Sequence, residues 1–161
     1  MISALAIVFI MVFIISFSYI SGHFQKPTVD GRKLISPDNN VSLKITGKDG
    51  STNNFSAEVA LTPEEQARGL MNRSSLPADA GMLFDFRCTE VRRFWMENTL
   101  IPLDMIFIDQ NGKIIDIHEN ATPLSRNTIT SSGPCRYVLE INGGICRGAN
   151  ICIGDQMTVQ K

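Results

Sequence analysis

Leu103-Asp104-Met105-Ile106-Phe107-Ile108-Asp109-Gln110-Asn111-Gly112-Lys113-Ile114-Ile115-Asp116-Ile117-His118 is the stretch that decides the fold class. Asn-Gly between two β-rich apolar runs is a strong short-range hairpin signal, because both residues tolerate the positive φ that a tight turn demands. Upstream, Val41, Leu43 and Ile45 alternate with Ser42, Lys44 and Thr46, the pattern of a half-buried strand. Lys48-Asp49-Gly50 then reads as a turn, and Phe55, Ala57, Val59 and Leu61 alternate as a second strand, which predicts a hairpin over 41–61.

Thr62-Pro63-Glu64-Glu65 carries a helix start: Thr62 as cap, Pro63 in the first helical position, Glu65 closing a capping box. Gly69 fits a left-handed stop soon after, so the helix is short. Met82 to Phe86, Phe94 to Met96 and Tyr137 to Ile141 read as strands. Gly143 to Asn150 reads as a short helix, and Ile153-Gly154-Asp155 as a turn into a last strand over Gln156 to Gln160. Roughly eight short strands with one or two short helices predict an α+β, mostly β domain, a compact, partly closed barrel-like sheet.

The N-terminal part differs in kind. Ile2 to Ile20 contains no charged residue, and at ~1.5 Å per residue it spans about 28 Å, nearly a hydrocarbon core. The run is longer than a signal-peptide core, so a membrane anchor is favoured over a cleaved signal. Pro27, Gly31, Pro37, Asp38, Asn39 and Asn40 give the next stretch the composition of a linker. The expected organisation is an anchor or signal segment over 1–21, a linker over 22–40 and a globular domain over 41–161. Lys26, Arg32 and Lys33 come after the apolar run and nothing basic precedes it, which by the positive-inside rule favours a cytoplasmic-facing domain.

The whole chain of 161 residues has 15 Lys+Arg against 16 Asp+Glu. Without a basic surplus, a nucleic-acid partner that must be held through its phosphates is not expected. No Walker loop, H-E-x-x-H, G-x-S-x-G or dinucleotide fingerprint occurs, so no cofactor is expected. Asp116, His118 and Glu119 are a poor metal set, because strand alternation splits them between two faces. The four cysteines, Cys88, Cys135, Cys146 and Cys152, form no C-x-x-C pair; buried free thiols are favoured over a Cys88–Cys135 bridge.

Chemistry concentrates in Phe94-Trp95-Met96-Glu97-Asn98-Thr99-Leu100-Ile101-Pro102-Leu103-Asp104, which holds the single Trp beside hydrogen-bonding side chains. Such a stretch suits an aromatic wall with a few orienting polar groups, the usual make-up of a small-ligand pocket. Arg68 and Arg73 flank Gly69-Leu70-Met71-Asn72 and could grip a carboxylate or phosphate in a bidentate fork. The candidate ligand-binding set is therefore Arg68, Arg73, Trp95, Met96, Asn98, Thr99 and Asp104, and no catalytic residue is assigned.

Arg68-Gly69-Leu70-Met71-Asn72-Arg73, Gly81-Met82-Leu83-Phe84, Phe94-Trp95-Met96-Glu97-Asn98-Thr99 and Pro102-Leu103-Asp104 resemble the domain of unknown function 192 family. Ile117-His118-Glu119-Asn120-Ala121, Tyr137-Val138-Leu139-Glu140, Gly143-Gly144 and Ile153-Gly154-Asp155 continue the likeness, which covers about residues 55 to 159. The segment from Ile145 to Cys152 departs from the family's more helix-like run. The resemblance implies a compact β-rich α+β domain, often with an N-terminal export segment. It therefore pulls the domain outside the cytoplasm, anchored in the inner membrane or exported to the periplasm, against the charge count above. It implies no catalytic residue, since the family has no accepted activity. Gly69, Gly81 and Gly154 have a backbone explanation in turns; Trp95, Asn98, Thr99, Asp104 and Glu140 have no equally simple one.

Three functions compete. The favoured one is a membrane-anchored or exported module that binds a small polar or anionic ligand, or a peptide, in a cleft. A structural or protein-partner domain without such a site is the second. An acid–base hydrolase using Asp104, Glu140 or His118 is the third.

Overall fold

The alternating stretches pair as their periodicity demands. The structure, a computed structural model, describes residues 39–160. Strands β1 (Asn40–Thr46) and β2 (Thr52–Ala60) form the antiparallel hairpin, with Leu43 opposite Phe55. Helix α1 (Pro63–Arg68) then crosses over, so that β3 (Ala80–Glu90) lies parallel to β2. Next come β4 (Arg93–Phe94), β5 (Leu103–Ile108), β6 (Ile114–Ala121), β7 (Ile129–Thr130) and β8 (Cys135–Asn142). Helix α2 (Ile145–Gly148) and β9 (Gln156–Gln160) complete the order.

Seven strands make one sheet in the order β6-β5-β8-β3-β2-β1-β9, and β4 pairs with β7 separately. The sheet curls until its two ends meet. Lys113 bridges to Gln156, the Met157 N–H donates to the Gly112 carbonyl at 2.8 Å, and the Ile114 N–H donates to that of Asp155 at 2.9 Å. The hairpin tip around Asn111-Gly112 is thus also the point of closure.

The curl leaves the sheet apolar on both faces. Leu43, Ile45, Phe55, Ala57, Leu83, Ile106, Leu139 and Ile141 fill the concave side together with Cys146 and Ile151. Phe84, Met105, Phe107 and Val138 face the other way and are covered by Leu70, Leu76, Met96, Ile101 and Ile129. All six residues of β5 are buried, Asp104 among them, which explains why the other five are apolar.

Helix α1 has the cap read from its sequence: the Thr62 hydroxyl accepts from the Glu65 N–H, and the Glu65 carboxylate accepts from the N–H groups of Thr62 and Leu61. Those bonds hold the Glu65 carboxyl below its usual range. Thr62→Ala is expected to cost about 1 kcal/mol in denaturant unfolding.

Several expectations need correction. The strand expected over Phe94 to Met96 ends at Phe94, because the backbone turns at Trp95 to close the loop Met96–Thr99. The pairing partner of that short strand, β7, carries no alternation long enough to read. Gly69 has φ +46° and ψ −135°, outside the left-handed helical region expected of a helix stop yet still in glycine territory. Gly81 needs no positive φ: a Cβ there would lie 2.7 Å from the Glu140 carbonyl, so the glycine lets β8 approach. The transmembrane or signal helix expected over 1–21, and most of the linker, lie outside the described residues. Among those described, no helix is long and apolar enough to cross a membrane.

Candidate functional site

Position along β8 fixes the most unusual side chain. Met82, Glu140 and Met105 are register partners across β3, β8 and β5 and so share one sheet face. Glu140 is only 4 % exposed, and among the described residues nothing donates to its carboxyl. Burial pushes its pKa up to about 8, because a carboxylate loses its hydration among apolar neighbours. Backbone at Gly69 closes one side: a Cβ there would stand 3.8 Å from Glu140 Oε2 and 3.3 Å from Phe84 Cζ.

Glu140 forms part of the wall of a cavity of about 500 Å³. The cavity exists because α1 is pinned over the β2–β3 end, where Gln66 donates to the carbonyls of Ala60 and Asp85. Phe84, Phe86, Phe94 and Trp95 supply its aromatic lining. Phe94 meets Phe84 edge-on at 5.2 Å between centroids, so the rings brace one another. Arg68, Arg92 and Arg93 contribute positive charge. The Arg92 guanidinium stacks 4.0 Å over Phe86, bonds the Cys88 carbonyl at 2.8 Å and pairs with Glu90 at 3.5 Å. Arg68 and Arg93 are exposed and have no ion pair within 4 Å among the described residues.

Three of the seven candidate residues, Arg68, Trp95 and Thr99, lie in this wall. Trp95 is 53 % exposed and Thr99 buried. The other four do not reach it. Arg73 forks onto Glu58, with Nη2 2.7 Å from Oε2, and is occupied by that pair. Met96 is buried in the apolar layer behind the wall. Asn98 takes φ +57°, a conformation its side chain tolerates, and its carbonyl accepts the Asn72 N–H at 2.8 Å, tying two loops together.

Asp104 serves the opposite face. It is fully buried, and its carboxylate accepts from the N–H groups of Asn120 and Gly144 through Oδ1 (2.8 and 3.0 Å) and of Cys146 through Oδ2 (2.8 Å). It pairs in register with Ile141, whereas Glu140 pairs with Met105, so the two carboxyls point to opposite sides of the sheet. They form no acid–base pair.

Arg92 and the phenylalanines stand outside the expected site, and Glu140, named in the sequence only as an unexplained acid and for the hydrolase reading, stands outside the ligand-binding set. Glu140 was legible as a lone acid in the apolar run Tyr137 to Ile141, where a charge is rare without a partner. The Arg92 position depends on a loop that no local pattern encodes. Among the described residues, no three His, Cys, Asp or Glu side chains cluster closely enough to hold a metal ion. All four cysteines are free thiols; Cys135 and Cys146 are buried, and burial raises both. Cys88 and Cys152 are exposed, against the expectation that the thiols are buried.

Fold and cavity together define a curled β half-barrel with a side pocket under an α1 crossover. The chain belongs to the domain of unknown function 192 family, described as Uncharacterized ACR, whose model matches residues 44–159. A crystal structure from Sinorhizobium meliloti 1021, provisionally labelled a transcription regulator, is 37 % identical with a TM-score of 0.74, over 80 % of this chain and 98 % of that one. A protein of unknown function from Novosphingobium aromaticivorans DSM 12444 is 34 % identical with a TM-score of 0.72, over 85 % and 99 %. No curated protein shows a significant match.

Proposed function

We propose that this domain is a small-ligand binding module whose ligand enters beneath Trp95 and reaches Glu140. The observation that carries this reading is a buried carboxyl, unpartnered among the described residues, in an aromatic-walled cavity of about 500 Å³. Such a group costs stability and gives nothing back to the fold, which is the usual mark of a group kept for something outside it. The volume falls in the range of small-molecule pockets. Arg68 and Arg93 at the wall suit a ligand with an anionic group.

The apolar run Ile2 to Ile20 supports the further reading that the domain is held at, or exported across, the inner membrane. The label of the Sinorhizobium meliloti protein is not carried over, since 15 basic against 16 acidic residues offers no surplus for a nucleic-acid backbone. A protein-partner role has one observation in its favour: Val91, Trp95, Leu100 and Leu124 are each more than 40 % exposed.

A thermal-shift screen of the full chain against small metabolites tests the binding reading. A ligand at 100 times its Kd stabilises by about 2.7 kcal/mol. Trp95→Ala, which opens the wall, and Ala67→Trp, which fills the mouth from an exposed helix position, are both expected to weaken a hit at least tenfold. Hits that bind both variants as they bind the unaltered chain would place the site elsewhere.

A further inference from the structure

The cavity is chemically lopsided. One part of its wall is the Glu140 carboxyl, set between Met82 and Met105 and backed by Phe84. Another carries the exposed guanidiniums of Arg68 and Arg93. Among the described residues, the charged and titratable groups on Glu140's side of the sheet are Arg68 and Glu65 from α1, Arg73 after it, Arg92 and Arg93 at the start of β4, Glu58 on β2 and His118 on β6. Asp116 and Cys135 lie farther along that face. Glu58 is taken by Arg73, and Arg92 by Phe86, Glu90 and Cys88. Burial sets the environment of the Glu140 carboxyl, and none of these groups hydrogen-bonds to it. The acidic and basic parts of the wall come from different elements, Glu140 from β8 and the arginines from α1 and β4.

A complementary ligand must meet two requirements. A buried carboxylate accepts only, so its best partner is a group that donates and carries positive charge; such charge-assisted bonds are roughly twice as strong as neutral ones. The rings of Phe84 and Trp95 favour the same sign of charge through their π faces. The exposed guanidiniums of Arg68 and Arg93, neither in an ion pair within 4 Å among the described residues, offer donors to an anionic group. A simple amine would be repelled at the arginines and a simple acid would leave Glu140 unsatisfied.

Resting on the binding reading above, we propose that the ligand class is an amphoteric small molecule, with an amine on Glu140, an acid group on Arg68 and Arg93, and an apolar stem against the aromatic wall. Seating the ammonium requires Glu140 to give its proton to solvent, so binding is coupled to proton release. Around pH 7 the carboxyl is mostly protonated in the empty cavity, so most binding events should release a proton. Affinity should rise with pH toward 8 and then level off.

Isothermal titration of the full chain with 6-aminohexanoate, hexanoate and hexylamine at pH 7, in two buffers of different ionisation enthalpy, tests this. The expected result is binding of 6-aminohexanoate at least tenfold tighter than the other two, with proton release. Glu140→Gln, a neutral near-isostere, should cost 6-aminohexanoate at least tenfold and abolish proton release while leaving hexanoate unchanged. Arg68→Ala with Arg93→Ala should weaken hexanoate and 6-aminohexanoate but not hexylamine. Equal binding of 6-aminohexanoate and hexanoate, binding without proton release, or no binding by any of the three would overturn the assignment. If 6-aminohexanoate binds no tighter than hexanoate and Glu140→Gln changes neither, while Ala67→Trp abolishes both, the cavity stands as a ligand site and only the amine assignment falls. Probes that bind Ala67→Trp undiminished would overturn both.

Discussion

Glu140→Gln is expected to make the empty domain markedly more stable at alkaline pH. The folded chain keeps the Glu140 proton up to about pH 8, whereas an unfolded chain releases it near 4.5. Between those values the folded state binds more protons than the unfolded one, so stability falls as pH rises through the window and stays low above it. At about 1.4 kcal/mol per pKa unit, the loss between pH 5 and pH 9 is on the order of 4 kcal/mol. Glutamine fills nearly the same space and does not titrate. Chemical denaturation of both proteins at pH 5 and pH 9 should therefore show the variant gaining about 4 kcal/mol relative to the parent over that interval, other titrations cancelling in the difference. A differential below about 1 kcal/mol would mean that the carboxyl is partnered or hydrated, and the burial argument for a binding role would go with it.

Asp104→Ala should do the reverse and destabilise at every pH where the domain folds. Three backbone N–H groups, of Asn120, Gly144 and Cys146, lose their acceptor at once. At roughly 1–3 kcal/mol for each buried donor left unsatisfied, and with partial relief by water, the expected loss is about 3–5 kcal/mol. Asp104→Asn should fall between: its amide oxygen can serve two of the donors while its NH₂ opposes the third. Because Asp104 faces away from the cavity, ligand affinity of the folded fraction should stay within twofold. A loss under about 1 kcal/mol on Asp104→Ala would show that α2 and the start of β8's exit loop are held by something else.

These two acids show how far local patterns reach. Both stand in apolar β runs, and both look equally out of place in the sequence. Strand alternation alone puts Leu103, Met105 and Phe107 on one face and Asp104, Ile106 and Ile108 on the other, and separates Glu140 from Ile141. It does not say which faces of two strands coincide. Only the register of β5 against β8, with Asp104 opposite Ile141, sends one carboxyl to three backbone donors and the other into a cavity. Arg68 and Arg73 make the same point: five residues apart around a glycine turn, one stays unpaired at the wall and the other is absorbed by Glu58, a residue on a strand ten positions upstream of Arg68.

The amino-acid pattern by itself determined the β-rich class, the capped first helix and the central hairpin, because each is written in neighbours a few residues apart. The closure of the sheet at Lys113–Gln156, the wall that joins Arg68 to Trp95 and Glu140, and the opposite fates of the two buried acids were decided by the tertiary structure. Those features depend on which strands become partners across tens of residues, and such pairing is settled by the summed burial of both sheet faces rather than by any local signal.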